Sequence, residues 1–294
     1  MTYEVLEAPV SGGSLAAGRW RPDSADRPTV LAVHGVTANH RAWNAVVAEA
    51  PDLDILAPDL RGRGRSSALP GPAGLPQHAD DLVALLDHLG LDRVVVAGHS
   101  MGGLVSVVLA DRHPDRVERL VLVDGGLPIV RPPGTTVEQV MTATLGPATA
   151  RLAMTFPTRE AYQEFWHAHP AFPTGYGEAA AGYFDYDLVE VPGGFASSVR
   201  IDPVRDDVAS QLDPEVLTPA LERLRVPAVL LHAPRGLMDD PTPLYPDPLV
   251  REWDERLDLL TVVEVDDVNH YTILLDPRPA AVVAAYLRSP DASG

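Results

Sequence analysis

The chain has 294 residues, and its 23 basic against 41 acidic residues give a formal net charge of −18. This acidic balance argues against a surface for nucleic acid or for an anionic membrane. The absence of cysteine excludes disulfides, thiolate metal sites and a cysteine nucleophile. The first ten residues show no signal-peptide pattern, and no apolar run approaches a bilayer-spanning length of about 20 residues. We therefore expect a cytoplasmic protein without membrane contacts.

Strand and helix patterns alternate over the first 126 residues. Two strand-like runs, 5–10 and 15–20, flank Ser11-Gly12-Gly13 and predict an antiparallel hairpin at a sheet edge. The following patterns predict, in order, a strand at 29–33, a helix around 41–50, a strand at 54–57, a helix at 78–89, a strand at 93–97, a helix at 104–110 and a strand at 119–123. Such alternation is typical of a parallel sheet with helices on both faces, whose chemistry collects at the carboxyl ends of the strands.

Between residues 125 and 225 the alternation stops, and the chain becomes rich in proline and aromatic residues. This composition predicts an inserted helical cap, with an amphipathic piece at 159–169. Alternation then resumes with a strand at 226–232, a helix near 249–257, a strand at 260–265 and a helix at 279–287. The predicted organisation is a core in two parts, 1–126 and 226–294, interrupted by a cap at 127–225.

The sequence VVVAGHSMGG, residues 94–103, joins a buried strand to an apolar helix through a glycine-rich turn. Its centre, Gly98-His99-Ser100-Met101-Gly102, matches the pattern G-x-S-x-G, in which a sharp and strained turn exposes a nucleophilic serine. The glycines are required because side chains there would collide with the neighbouring strand and helix. Ser100 is therefore the candidate nucleophile.

Three further segments extend this pattern: His34-Gly35 after a buried strand, DLRGRGRS at 59–66 and NHYT at 269–272. With them the chain resembles the capped, esterase-like and epoxide-hydrolase-like α/β-hydrolases over nearly its whole length. The resemblance implies a mostly parallel, doubly wound sheet with an inserted helical cap. It also implies a serine hydrolase that requires neither a metal nor an organic cofactor. Serine rather than aspartate at the turn argues against the epoxide hydrolase and dehalogenase mechanisms.

A serine nucleophile needs a base within hydrogen-bond reach. His270 follows the last predicted strand and follows Ser100 in the order Ser, acid, His of this fold. His34 and His99 lie beside the motifs, and we expect them to be structural. His167 and His169 are two positions apart on a predicted cap helix, which is a poor spacing for one metal.

The acid departs from the commonest pattern of the family, which has a Gly-x-x-Asp turn after the strand at 226–232. This chain has Ala233-Pro234-Arg235-Gly236 there. Two replacements are available: Asp124 at the end of the strand 119–123, or Asp239 and Asp240 further along the proline-rich loop. We favour Asp124, whose role would be to orient His270 and stabilise its charged form.

The oxyanion of an acyl transfer needs two preorganised donors. One is expected to be the backbone N–H of Met101, and the resemblance assigns the other to Val36. The cap aromatics Phe165, Trp166 and Tyr183, with Tyr271, are predicted to line a substrate pocket. The segment DLRGRGRS lacks the Lys-Ser/Thr ending of a phosphate-binding loop, so we expect a structural loop held by arginine hydrogen bonds.

These residues predict a serine hydrolase that cleaves a carboxylic ester or lactone with a hydrophobic moiety through an acyl-enzyme. Three alternatives remain: a serine-dependent carbon–carbon bond hydrolase, a thioesterase, or a non-catalytic ligand-binding protein on the same fold. The predicted partner is a small-molecule substrate, and the predicted state is a monomer or homodimer.

Overall fold

The computed structural model describes residues 1–23, 28–129 and 133–289. The described residues form ten strands: β1 (Thr2–Val10), β2 (Gly13–Arg21), β3 (Thr29–Val33), β4 (Asp54–Pro58), β5 (Val94–His99), β6 (Val117–Val123), β7 (Leu188–Val191), β8 (Gly194–Ser197), β9 (Ala228–His232) and β10 (Leu260–Glu264). Eight of them form one sheet in the order β1-β2-β4-β3-β5-β6-β9-β10. β1 pairs with β2 and β2 with β4 in antiparallel fashion, and the remaining pairs are parallel. The predicted doubly wound sheet with its edge hairpin is confirmed.

The helices of the described residues are α1 (Asn44–Glu49), α2 (Leu75–His88), α3 (Met101–Arg112), α4 (Val137–Ala150), α5 (Arg159–His167), α6 (Glu178–Asp187), α7 (Ile201–Gln211), α8 (Leu217–Glu222), α9 (Asp247–Arg256), α10 (Thr272–Leu275) and α11 (Pro277–Arg288). Four short 3-10 helices accompany them: His40–Trp43, Gly64–Ser66, Pro114–Arg116 and Arg151–Ala153. No helix of the described residues is both long and apolar enough to cross a bilayer.

The central strands are buried on both faces, which explains their continuous apolar sequences. β3, β4, β5 and β9 are buried at every position. In β5, Val94 and Val96 join the core that contains α2 and α3, whereas Val95 and Ala97 join the core that contains α1 and α11. This alternation follows from the period of two residues in a strand, and it holds the carboxyl end of β5 rigidly between two helical layers.

Between β6 and β9 the chain forms α4 to α8 and the hairpin of β7 and β8. We call this segment, residues 137–222, the insert. The segment is mostly helical, consistent with the predicted helical cap, and it also contains a two-stranded sheet. Gly193 and Gly194 form its turn with φ of 94° and 143°, a conformation that glycine adopts readily. The boundaries 127–225 stay a prediction, and residues 130–132 within them lie outside the described residues.

Two local predictions also change. α2 begins at Leu75 with proline in its first turn, three positions before the predicted start, because proline favours the first turn of a helix. α5 ends at His167, so His169 lies beyond the helix rather than on it. His169 is buried, and its Nδ1 accepts a hydrogen bond from the N–H of Ala171 at 3.2 Å.

Candidate active site

Ser100 occupies the turn between β5 and α3. Its φ of 55° and ψ of −125° lie outside the regions that residues with a side chain prefer. The turn is held by two backbone hydrogen bonds: Ser100 donates to the oxygen of Val123 at 3.1 Å, and Gly103 donates to the oxygen of Ser100 at 2.9 Å. A strained backbone that its surroundings hold in place is common at functional sites.

Close backbone packing explains the glycines around Ser100. A Cβ on Gly98 would lie 2.2 Å from the oxygen of Gly102, and one on Gly102 would lie 2.1 Å from the oxygen of Val33. The sequence reasoning missed a further position, Gly125 after β6, where a Cβ would lie 2.1 Å from the oxygen of Ser100. The one feature of the sequence that could have indicated Gly125 is its position directly after Asp124.

Asp124 and His270 form a buried pair. Asp124 follows β6 with a φ of 42°, and its Oδ2 lies 2.6 Å from Nδ1 of His270. Its other carboxylate oxygen accepts the N–H of Ala233 at 3.1 Å. Because a carboxylate only accepts hydrogen bonds, Nδ1 of His270 carries the proton and Nε2 is left as an acceptor. His270 and Ser100 line the same two cavities.

The structure places the alternative acids elsewhere. Asp239 accepts hydrogen bonds from Nε of Arg235 at 2.6 Å and from the side-chain amide of Asn269 at 3.0 Å. Asp240 accepts the N–H of Thr242 at 3.3 Å. Asp239 therefore supports the loop that carries His270 rather than contacting the imidazole ring.

Neighbouring side chains hold the backbone of that loop. The side-chain oxygen of Asn269 accepts the N–H groups of Tyr271 and Thr272 at 3.0 and 2.9 Å. Nε2 of His99 lies 2.9 Å from the carbonyl oxygen of His270, so it donates and Nδ1 is an acceptor. That Nδ1 is buried without a hydrogen-bond partner among the described residues. Burial lowers the pKa of His99 to about 3, so its ring is neutral.

The loop after β3, residues 34–38, lies beside Ser100; we call it the β3 loop. A Cβ on Gly35 would lie 3.2 Å from Cβ of Ser100, so the backbone runs close to the candidate nucleophile. Val36 lines both cavities with Ser100, and its N–H makes no hydrogen bond among the described residues. Met101 is the first residue of α3, so its N–H has no intrahelical acceptor. These are the two N–H groups that the sequence nominates as oxyanion donors.

Three successive carbonyls of the β3 loop each accept a hydrogen bond from a buried side chain. Nδ1 of His34 lies 2.7 Å from the oxygen of Gly35, and Nε and Nη2 of Arg63 donate to the oxygen of Val36 at 2.9 and 2.7 Å. Nη2 of Arg151 donates to the oxygen of Thr37 at 3.1 Å. The N–H and C=O of one peptide plane point in opposite directions, so holding the oxygen of Gly35 also sets the direction of the N–H of Val36.

His34 has one tautomer because of its partners. Nε2 accepts the N–H of Leu60 at 3.0 Å, so Nδ1 must be the donor toward the oxygen of Gly35. Burial lowers the pKa of His34 to about 3, which keeps the ring neutral. His34 and His99 thus act as hydrogen-bonding supports below the site, as the sequence predicts.

Two small cavities, each of about 40 Å³, meet at Ser100. The first, which we call the aliphatic cavity, is lined mainly by Ile129, Val140, Met141, Val208, Leu212 and Leu244. The second, which we call the polar-aromatic cavity, includes Thr37, His99, Tyr183 and Tyr271. The two cavities are equally small, and their linings differ in chemistry.

The expectation that Phe165 and Trp166 line the site is wrong, since neither lines these two cavities. Trp166 is 1% exposed and stacks on Phe184 with ring centroids 4.2 Å apart. Phe165 packs edge to face against Phe156 at 5.7 Å. Both rings fill the core of the insert itself, which composition alone could not distinguish from a substrate pocket.

Two arginines of DLRGRGRS donate to backbone oxygens, as the sequence predicts. Nη1 of Arg61 donates to the oxygen of Pro70 at 2.6 Å, and Nη1 of Arg63 donates to the oxygen of Arg61 at 2.6 Å. Within the described parts of the chain, no group of three or more His, Asp or Glu side chains is arranged to hold a metal ion.

The fold and this constellation define an α/β-hydrolase. The chain belongs to that family, since the profile of the α/β-hydrolase fold matches residues 28–184. Lipase LipV of Mycobacterium tuberculosis is 41% identical over 131 residues, which are 45% of this chain and 48% of that protein. The 3-oxoadipate enol-lactonase 2 of Acinetobacter baylyi is 34% identical over 101 residues, which are 34% of this chain and 38% of that protein. The chain thus spans less than half the length of these relatives.

The fold extends beyond those segments. The crystal structure of E-2-(acetamidomethylene)succinate hydrolase superposes with a TM-score of 0.81 and covers 98% of this chain and 99% of that one. The two sequences are 19% identical, so this likeness concerns the fold alone.

Proposed function

We propose that the protein is a serine hydrolase that cleaves a carboxylic ester or lactone through an acyl-enzyme. The observation that carries the proposal is the buried pair of Asp124 and His270 beside Ser100. It leaves Nε2 of the imidazole as an acceptor, and His270 lines the same two cavities as Ser100. The names of the lipase and enol-lactonase relatives agree with this chemistry.

In the proposed reaction, Oγ of Ser100 attacks the substrate carbonyl carbon while Nε2 of His270 takes the serine proton. The carbonyl oxygen becomes an oxyanion, which the N–H groups of Val36 and Met101 stabilise. His270 then passes its proton to the leaving alkoxide, and an acyl-enzyme remains. Water deprotonated by His270 attacks this ester, and the serine recovers its proton. In a lactone the alcohol and the acid leave as one molecule.

Asp124 acts through His270. Its carboxylate holds the proton on Nδ1, which keeps the imidazole in the tautomer that can accept from Ser100, and it stabilises the imidazolium of each step. Because Asp124 is fully buried, water does not screen this interaction strongly. A chain without a carboxylate after β9 could be a non-catalytic protein of this fold, but the candidate acid Asp124 after β6 argues against that alternative.

The two cavities favour a substrate with unequal parts. The aliphatic cavity accommodates a short apolar chain, since its lining offers mainly dispersion contacts and burial of apolar area. The polar-aromatic cavity is lined by Thr37, His99, Tyr183 and Tyr271, which combine polar groups with aromatic rings. This lining suits a second part of the substrate that carries a ring or a hydrogen-bonding group.

Turnover of p-nitrophenyl butyrate tests the proposal. The wild type should release p-nitrophenol over many turnovers, Ser100→Ala should not exceed the background rate, and Ser14→Ala on the exposed edge of the sheet should match the wild type. A single stoichiometric release without cycling, or equal rates for the wild type and Ser100→Ala, would contradict it and would favour a ligand-binding protein.

A further inference from the structure

The insert contacts the β3 loop through two buried ion pairs. Arg63 holds the oxygen of Val36, and its Nη2 lies 2.5 Å from Oδ2 of Asp207 on α7. Arg151 holds the oxygen of Thr37, and its guanidinium pairs with Asp187 at the end of α6. All four charged side chains are at most 2% exposed. Each pair therefore joins the insert to one peptide of the loop that carries the candidate oxyanion donor.

Asp207 also ties α7 to the core. Its Oδ1 accepts the N–H of Gly74 at 2.7 Å and lies 2.8 Å from Nε2 of His78 on α2. Burial raises the pKa of Asp207, but the positive charge of Arg63 and the hydrogen-bonding contacts with Arg63 and His78 outweigh this effect and hold it below its usual value. The carboxylate is thus charged and shared among α2, the segment before α2 and Arg63.

Arg151 is also held by several hydrogen-bonding partners. Its Nη1 donates to the hydroxyl of Tyr162 at 2.6 Å, and Oδ1 of Asp187 accepts the hydroxyl of Ser197 at 2.9 Å. The partners of Arg151 other than Thr37 belong to the insert, so the position of this guanidinium is set by the insert and not by the β3 loop.

We propose that Asp207 and Arg151 are positioning residues of the insert that orient the N–H of Val36 toward the oxyanion by fixing the carbonyls of Val36 and Thr37. This inference rests on the proposed function. The physical reason is that the carbonyl oxygens of three successive residues, 35–37, are all held by hydrogen bonds. The φ and ψ angles of Val36 therefore have little freedom. A donor out of place by about 1 Å costs on the order of 10²-fold in rate.

The test replaces a pair without leaving a buried charge, because one unpaired charge would destabilise the fold by about 3–5 kcal/mol. In Arg63→Met with Asp207→Asn, the amide oxygen still accepts from Gly74, but the oxygen of Val36 loses its donors. Arg151→Met with Asp187→Asn is the second double variant. Asp206→Asn is the matched control, since it removes the same charge from α7 at an exposed neighbour, whose carboxylate accepts the N–H of Ala73.

For p-nitrophenyl butyrate we expect each double variant to lower kcat by about 10- to 100-fold, with KM within about twofold. Hydrogen–deuterium exchange of a peptide spanning residues 34–39 should become at least tenfold faster, since Ala38 donates to Gly35 within that loop. Asp206→Asn should match the wild type in both. If KM rises and kcat stays unchanged, the ion pairs contribute to substrate binding, and the inference is overturned.

Unchanged kcat and unchanged exchange in both double variants would also overturn it. If the wild type hydrolyses no ester, the proposed function fails, and the exchange measurement still decides whether the insert holds the β3 loop. Loss of folding in one double variant, recognised by circular dichroism, leaves the decision to the other double variant.

Discussion

Asp124 and His270 stand 146 positions apart in the chain, yet Oδ2 of the first lies 2.6 Å from Nδ1 of the second. The parallel sheet produces this contact, because β9 lies between β6 and β10, so the turn after β6 and the loop after β10 leave the same edge of the sheet only one strand apart. Only the fold brings the acid to the base, and the catalytic proposal depends on this contact.

If Asp124 orients His270, Asp124→Asn should lower kcat on the order of 10³- to 10⁴-fold, the scale of loss when the aspartate of such a triad becomes an amide. The change conserves volume, so Tm should move by only a few degrees, about 3 °C. Asp239→Asn and Asp240→Asn serve as controls and should be mild. The reverse ranking in steady-state kinetics would assign the acid to the proline-rich loop.

Gly125→Ala should destabilise the protein, because its Cβ would meet the backbone of Ser100, which cannot move without disturbing the turn. We expect a loss of about 3 kcal/mol in the free energy of unfolding, measured by urea denaturation. Gly177→Ala is the control, since no atom lies within 4 Å of its Cβ position, and its effect should stay within about 0.5 kcal/mol. Equal effects of both substitutions would show that the packing behind Ser100 is not tight.

Lowering the pH should decrease the free energy of unfolding already at pH values above those at which the carboxylates titrate. His34 and His99 have folded-state pKa values of about 3, below the unfolded value of about 6.5. The unfolded chain therefore binds protons first as the pH falls, and the stability present above pH 6.5 is lost toward pH 3. Each group contributes about 1.4 kcal/mol per pH unit in that window.

Urea midpoints measured between pH 7.5 and 5 check this dependence. His99→Gln, whose amide can still donate to the oxygen of His270, should show a shallower decline than the wild type. A decline of equal slope in both proteins would mean that His99 titrates in the folded state.

The aliphatic cavity should set the preferred chain length. Leu212 lines it and is 9% exposed, so Leu212→Trp should reduce the ratio of kcat/KM for p-nitrophenyl hexanoate over acetate by about tenfold, the scale of steric discrimination in apolar pockets. Leu259→Trp at an exposed position is the control. An unchanged ratio in Leu212→Trp would place the apolar part of the substrate elsewhere.

Local sequence patterns predicted most of the strands and helices around Ser100. Ser100 stands in a strand–turn–helix pattern that is readable within ten residues, and the strands around it are apolar because both faces are covered. His270 was selected by its place after the last strand. The acid could not be selected in the same way, since Asp124 and Asp239 both follow strands and only the three-dimensional fold brings one of them to His270.

The support of the β3 loop was beyond sequence reasoning for the same reason. The sequence shows that Arg63 is a basic residue in a glycine-rich loop. It does not show that Arg63 donates to the backbone oxygen of Val36, 27 positions away. Arg151 and Asp207 lie in the insert without a motif around them. Phe165 and Trp166 were misplaced because an aromatic residue is equally suited to a domain core and to a pocket.

Intact-mass spectrometry after exposure to a fluorophosphonate tests the central claim that Ser100 is activated by His270. We expect one covalent adduct on the wild type, and none on Ser100→Ala or on folded His270→Ala over the same time. An unlabelled wild type, or an adduct that persists in Ser100→Ala, would contradict it.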